Sequence, residues 1–582
     1  MFRIGENVRD LLVGRGVAAE ARTAGWESGF ASRALDPTVS ATFVSNDPGY
    51  TGGRTWGMLG DQTGSINVYG SQAGEAWQAG HTGSTKVAVG VVDSGIDYAH
   101  ADLYLNIWLN NAEIPVAVRS GLVDIDSDGA ITFRDLNAAA NAASVSDLNA
   151  NGRIDAGDLL ADARWEDGVD QDSNGYRDDL IGWDFANGDN DPFDDNGHGT
   201  HVAGTIAATG GNGIGVAGVT WNTLLVPLKF LAADGSGSTS NAVRALDYFT
   251  GAAARSTTVD FVATNNSWGG GSYSQALFDA IVRGARQDVL FIASAGNGGS
   301  DSIGDDNDAA GQYPAVYDTT AAVGFDAVIS VAAITATGTL AGYSNFGLNT
   351  VEIGAPGSSI YSTLAGGSYG SKSGTSMAAP HVAGAIAMFA AATGAGAAEL
   401  RFELLAAAAP TTSLDGKTMT GGRLDVMKLM EQAFAAPPST VTTINGTSAS
   451  DTLGGTAGMD RISGVPGAGT ALGRNTVDTL TGNGGNDLFV LGDSRGLFYD
   501  DGRARLAGTA DYARIMDFAA GDQLQLKGTF ADYKFRPLTL DGISGTGVYH
   551  DSNDNSRFDP RDELIALLSG NHVISSGDLL FV

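Results

Sequence analysis

The stretch 374-GTSMAAPHVAG-384 decides how the chain is read. It runs on as "AIAMFAAAT" to Thr393, a long series of small and apolar residues that predicts one buried helix with Ser376 at its start. The position of that serine matters chemically. Its N–H is one of the free donors of a helix's first turn, and the helix dipole adds positive potential at the same point. Gly374 and Gly384 permit close approach of neighbouring backbone.

Upstream of that helix, strands and helices alternate. "TKVAVGVVDSG" reads as a buried strand ending in a turn, "HGTHVAGTIAA" as a helix, "LLVPLKFL" as a strand and "SNAVRALDYFTGAAA" as a helix. "DFVATNNSWGG" and "VLFIASAGN" read as strands, with the helix "SQALFDAIVRGARQ" between them. Such alternation predicts an α/β fold, a parallel sheet with helices on both faces. It holds over residues 44–437 except from about 113 to 183, which read as an insertion. Residues 1–43 carry no pattern that assigns them a role. After the linker "AAPPSTVTTINGTSAS" the helical pattern stops, and 438–582 read as a Gly- and Asp-rich, mostly-β domain.

Three motifs bring chemistry to the C-terminal ends of the sheet strands, where open parallel sheets form their sites. "VVDSGIDYAHADL" ends a strand at Asp93, "NGHGTHVAG" starts a helix at His198, and Ser376 starts the third element. A serine hydroxyl becomes a competent nucleophile when an imidazole takes its proton. A carboxylate on the other ring nitrogen fixes the tautomer and stabilises the imidazolium.

These motifs, in the order Asp, His, Ser, resemble those of the subtilisin-like serine proteases, the subtilases, over roughly 46–430 apart from the insertion. That order separates the chain from chymotrypsin-like and α/β-hydrolase enzymes. The resemblance implies a subtilisin-like fold and hydrolysis of peptide bonds in broad protein substrates. It makes Asp93 the orienting acid, His198 the general base, Ser376 the nucleophile and Asn297 of "FIASAGNGG" the side-chain oxyanion donor. It implies that Ser267, Trp268 and Gly269 of "NNSWGG", with Gly235, Ser236 and Gly237 of "DGSGS", hold an extended peptide between them. Gly298 after Asn297 brings no charge, so apolar or large side chains are expected ahead of the scissile bond. His100, His201 and His381 are expected to be structural. Residues 1–43 are shorter than the family's usual inhibitory pro-domain, which leaves maturation open.

The insertion carries a second chemistry. "DIDSDGAITFRDL" and "DLNANGRIDAGDL" place oxygen-bearing side chains at positions one, three and five, Gly at six, an apolar residue at eight and Asp at twelve. That is the spacing of a calcium loop. The first offers Asp124, Asp126, Asp128, the Ala130 carbonyl and Asp135; the second offers Asp147, Asn149, Asn151, the Arg153 carbonyl and Asp158. Ile131 and Ile154 are expected to pair across the two loops. Asp at twelve resembles the dockerin-type variant of the EF-hand. "DQDSNGYRDD" repeats the start with Asp170, Asp172, Asn174, the Tyr176 carbonyl and Asp178, but its closing acid must come from elsewhere. "DSNDNSRFDPRD" offers Asp551, Asn553, Asn555, the Arg557 carbonyl and Asp562. Resemblance to the subtilases adds calcium ligands at Asp102, the Asn212 side chain, the Ile214 and Val216 carbonyls, and Asp47 of "SNDPGY".

In the C-terminal domain Asp451 and Asp460, and Asp478 and Asp487, stand nine apart, with Leu453, Ile462, Leu480 and Phe489 two residues after each. A nine-residue Gly/Asp/apolar period fits a calcium-stacked parallel β-roll; an ordinary Gly-rich β domain stays open. The tail "SGDLLFV" resembles those of calcium-repeat (RTX) proteins that leave the cell through type I secretion machinery, and also suits a final β-strand.

Sixty-six acidic against 33 basic residues, a net charge of −33, argue against a nucleic-acid partner, which needs a basic face. The absence of cysteine excludes disulfides and thiolate metal sites. No apolar run suggests a membrane span, and Arg9 and Arg15 interrupt the N-terminal apolar stretch where a signal peptide would sit. The expectation is a protein secreted by a non-classical route, with a cytoplasmic location as the alternative. A calcium-binding adhesion or docking protein on an inactive protease fold is the competing function; the intact Asp93, His198, Ser376 and Asn297 argue against it.

Overall fold

The computed structural model describes residues 44–61, 67–434, 442–456, 460–470, 472–484, 487–493, 495–500, 509–519, 522–528, 532–551, 558, 562–570, 572, 574 and 579–581. Residues 1–43, the expected 437/438 boundary and the ligands Asn553, Asn555 and Arg557 lie outside these. The described residues fall into two compact units, divided between Ala433 and Phe434.

The larger unit is built on a nine-stranded sheet. Its strands are β1 (Val87–Asp93), β2 (Trp183–Asp184), β3 (Leu224–Lys229), β4 (Asp260–Asn266), β5 (Leu290–Ser294), β6 (Val328–Ile334), β7 (Ile353–Pro356), β10 (Ala409–Pro410) and β11 (Gly422–Arg423). β8 (Ile360–Leu364) and β9 (Ser368–Lys372) form a separate antiparallel hairpin. The sheet order is β10-β11-β7-β6-β5-β4-β1-β3-β2, parallel except for the β10–β11 pair. β1 lies between β3 and β4, so the chain reverses its winding direction there and leaves a crevice beyond Asp93.

Every residue of β1 is buried, as its continuous Val/Ala run requires of a strand covered on both faces. Gly90 interrupts the run where a Cβ would come within 2.7 Å of Phe249 on the helix Thr239–Arg255. The helix Thr375–Thr393 packs across β4, β5, β6 and β7 and against the helix Gly199–Ala207. It is long and apolar enough to cross a membrane by composition, a reading the sequence analysis did not anticipate. In the fold 83% of its most apolar window is buried, so it is the core helix of the unit.

In the smaller unit successive strands alternate between two parallel sheets. One runs β12 (Thr442–Asn445), β14 (Asp460–Ser463), β16 (Leu488–Val490), β20 (Gln523–Leu526) and β24 (Leu579–Phe581). The other starts with the parallel strands β13 (Thr452–Gly454), β15 (Val477–Thr481), β19 (Tyr512–Ile515) and β23 (Glu563–Ser569) and continues into an antiparallel hairpin. Ile444, Ile462, Phe489, Leu524 and Leu579 stack in register through the first sheet. Leu453, Leu480, Ile515 and Leu568 stack through the second. The nine-residue period is therefore half a coil of a two-sheet parallel roll. Ile444 and Ile462 are 18 residues apart but Leu453 and Leu480 are 27, because the stretch around Gly469 leaves the roll instead of adding a strand. The tail forms the final strand β24 (Leu579–Phe581).

Candidate active site

Asp93 closes β1 and is fully buried. Its Oδ1 accepts the Ser94 N–H at 2.7 Å, and its two oxygens lie 2.8 and 3.0 Å from Nδ1 of His198. Burial pushes the His198 imidazole down, yet the charge and hydrogen bond of Asp93 outweigh it and the net shift is upward. His198 stands at the N-terminus of the helix Gly199–Ala207.

A buried polar lattice holds both members. Ser94 Oγ donates to Asp194 at 2.8 Å and accepts the Gly199 N–H at 2.9 Å. Asp194 also accepts from the Thr200 N–H and hydroxyl. Lys229, 1% exposed, donates to the Ser94 carbonyl at 2.8 Å and to Asp195 at 2.6 Å. One ammonium thus ties the strand end carrying Asp93 to the turn entering His198. The signal for it was a lysine inside the otherwise apolar "LLVPLKFL".

Ser376 Oγ rests on the Ser267 carbonyl at 3.1 Å, and the Ser267 hydroxyl donates back to the Ser376 carbonyl at 2.9 Å. Ser267, expected in the peptide-pairing segment, is buried and uses both oxygens to seat Ser376. Asn297 is exposed at the end of β5. Its Oδ1 accepts the Thr375 N–H at 2.9 Å and the Thr375 hydroxyl at 3.1 Å, which turns its amide NH₂ toward the other side. Trp268 packs on Phe230 with ring centroids 4.9 Å apart, while Gly269 and Gly235, Ser236 and Gly237 are exposed.

The three histidines expected to be structural, His100, His201 and His381, all meet backbone carbonyls. His201 Nε2 donates to the Ile360 carbonyl and His381 Nδ1 to the Met377 carbonyl, and burial pushes both imidazoles down to about 4. His100 lies 3.1 Å from the Ser368 carbonyl and is also pushed down by burial.

The three insertion loops share one backbone. Ser127, Ala150 and Ser173 at position four, and Gly129, Gly152 and Gly175 at position six, all have positive φ. In each, the first Asp accepts the N–H groups of residues five and six: Asp124 from Asp128 and Gly129, Asp147 from Asn151 and Gly152, Asp170 from Asn174 and Gly175. The expected pairing of Ile131 with Ile154 does not form. Ile131 pairs through its backbone with the Asn111 side chain and Ile154 with Asn137, because an amide offers the same donor and acceptor as a strand peptide.

The closing acid missing from the third loop is Glu113. Asp135 accepts the N–H of positions two and nine, Ile125 and Thr132; Asp158 likewise accepts from Leu148 and Asp155. Glu113 accepts from Gln171 and Asp178, the same positions, and from Asp172. It is fully buried, and desolvation pushes its carboxyl up to about 7. Sequence reading missed it because it lies upstream of the loop, at the first residue of the insertion. Carboxylate oxygens of Glu113, Asp170 and Asp172, and of Asp124, Asp126 and Asp128, lie within 4.8 Å of one another.

On the catalytic side, Asp102 accepts from the Asn212 amide and the Val216 N–H, and Asp47 from the Gly211 and Gly213 N–H groups. Two buried carboxylates thus grip the loop that carries Ile214. In the smaller unit Asp478 and Asp487 accept the N–H of Asp451 and Asp460, and Asp551 and Asp562 are buried.

The sequence profile described as the subtilase family matches residues 84–484. Subtilisin DY of Bacillus licheniformis is 40% identical over 204 residues, 35% of this chain and 67% of that protein. An extracellular protease of Xanthomonas campestris pv. campestris is 32% identical over 371 residues, 61% of this chain and 50% of that one. Subtilisin-like protease 1 of Plasmodium berghei is 32% identical over 313 residues, 52% of this chain and 42% of that one. The chain thus spans about half the length of the last two relatives. Among solved structures, a protease from Pseudoalteromonas arctica PAMC 21717 aligns over 67% of this chain and 99% of its own, at 26% identity and a TM-score of 0.44.

Proposed function

Because this chain belongs to the subtilase family, we propose that it is a calcium-stabilised serine endopeptidase that forms an acyl-enzyme on Ser376. The observation that carries the reading is the two-oxygen grip of buried Asp93 on His198 Nδ1, which leaves Nε2 as the base. The peptide lies extended between 235–237 and 267–269, with a weak preference for apolar or large side chains ahead of the scissile bond, where Gly298 brings no charge.

Ser376 Oγ turns from the Ser267 carbonyl to His198 Nε2, gives up its proton there and bonds to the scissile carbonyl carbon. The oxyanion receives the Ser376 N–H and the Asn297 amide, both fixed in advance. Collapse breaks the C–N bond, and His198 returns the proton to the leaving amine. Water, deprotonated by the same nitrogen, then cleaves the ester.

Calcium takes no step in this sequence. The donor sets fit it: each insertion loop presents only oxygens, three side chains, one carbonyl and a closing acid, counting Glu113 for the third. When bound, the ion would neutralise the crowded carboxylates and stiffen the insertion. The Asp47/Asp102 grip on 211–216 suits a further ion, and the aspartates of the roll a third class. The name of the Xanthomonas relative supports extracellular action, where calcium is plentiful.

Ser376→Ala tests the catalytic reading: casein hydrolysis and labelling by phenylmethylsulfonyl fluoride should both vanish while the fold persists. Residual hydrolysis above background would refute it. Chelation should lower the melting temperature, and an unchanged transition would remove the calcium part.

A further inference from the structure

The catalytic unit satisfies its semi-buried cations with care. Lys229 meets Asp195, Arg401 meets Glu352 at 3.1 Å, and Arg134 reaches the Leu105 carbonyl and Asn106. Lys372 breaks the pattern. It is half-buried, ends β9 opposite Ile360, and its ammonium has no hydrogen-bond or ion-pair partner among the described residues. This is unexpected in a chain with twice as many acidic as basic side chains.

Its support is rigid. The β8–β9 hairpin is fastened to the helix that begins after His198 by the Ser362 hydroxyl on the His201 carbonyl, the Thr363 hydroxyl on the Thr200 carbonyl and His201 on the Ile360 carbonyl. The Gly366 and Gly367 N–H groups donate to Asp97, three residues past Ser94. Lys372 is also four residues before the nucleophile. Its charge reaches the catalytic imidazole and opposes protonation of both His198 and His201.

The acyl half of the substrate is assigned to 235–237 and 267–269, neither of which belongs to this hairpin. The leaving amine is the group that His198 must protonate. The hairpin that carries Lys372 is bonded to the helix after His198, with the Ile360 carbonyl opposite Lys372 held by His201, and it belongs to neither acyl-side segment, which favours the leaving half for this cation. We infer that Lys372 is a specificity-determining residue that selects substrates carrying an acidic side chain at the first or second position beyond the scissile bond. The inference rests on the endopeptidase reading. A substrate carboxylate supplies the partner the ammonium lacks, and a basic side chain at the same place meets repulsion.

The test uses internally quenched peptides identical except for Ala, Glu or Lys at those two positions, with kcat/KM measured for the full chain at low and high salt. The wild type should prefer Glu over Lys by roughly fivefold or more, since an exposed attraction is replaced by a repulsion of similar size. The ratio should shrink at high salt. Lys372→Gln should bring it near one, Lys372→Glu should invert it, and Lys372→Arg should keep its sense. Failure of the wild type to cleave any of the three peptides would overturn the endopeptidase reading and this one with it. Cleavage without discrimination, or discrimination that Lys372→Gln preserves, would overturn the role of Lys372 alone.

Discussion

Glu113→Gln is the sharpest probe of the insertion, because it keeps the side chain's shape and removes its charge. The carboxylate accepts the N–H groups of Gln171 and Asp172 on one oxygen and of Asp178 on the other. An amide can serve only one side; its NH₂ must face an N–H on the other. A donor left facing a donor costs about 1–3 kcal/mol without calcium. With calcium the loss grows. A site filled at 100 times its Kd adds about 2.7 kcal/mol to stability, and the variant forfeits most of that at the third loop. Calorimetric melting with and without calcium should show a smaller calcium-induced rise in Tm for Glu113→Gln than for wild type. Titration calorimetry should count one ion fewer. Asp135→Asn and Asp158→Asn, at the equivalent places in the other loops, should behave alike. Wild-type stoichiometry and an undiminished calcium shift in Glu113→Gln would refute the assignment of Glu113 as a closing ligand.

The remaining expectations concern catalysis and the roll. Asn297→Ala should lower kcat by about 10²–10³ with little change in KM, the loss already known for removal of this donor in a subtilisin; a loss confined to KM would contradict the oxyanion role. Since Asp93 raises His198 and the base must be neutral, kcat/KM should fall on acidification through a pKa above the ordinary 6.5. Asp93→Asn should move that limb to lower pH and cut kcat by roughly 10⁴; an unmoved limb in the pH profile would contradict the coupling. Phe489, fully buried between Ile462 and Leu524 in the stack, should cost the smaller unit about 3–5 kcal/mol when changed to Ala. A calorimetric loss below about 1 kcal/mol would mean that the stack is not the core of that unit.

Much of the site was legible beforehand because its motifs are local. Asp93, His198, Ser376 and Asn297 each sit where a strand ends or a helix begins, and a few flanking residues announce such places. The repeat of Asp and apolar residues was legible too, but its meaning as half-coils on alternating sheets needed the register, which a strand shares with partners 18 or more residues away. The Ile131–Ile154 pairing failed because Asn111 and Asn137 compete for the same backbone groups, and no spacing rule weighs a side-chain amide against a peptide.

By itself, the sequence determined the α/β frame and the oxygen-rich character of the insertion, since both follow from residue type and short-range periodicity, and it carried the motifs whose resemblance to the subtilases implies the reaction class. Only the tertiary structure decided which distant group completes each arrangement. Glu113 closes a loop that begins 57 residues later, Lys229 joins the two halves of the Asp93–His198 pair, and Lys372 is left without a partner beside them. The reason is physical. A carboxylate or an ammonium acts through charge and hydrogen bonds over a few ångströms, and along the chain such neighbours can be any number of residues apart.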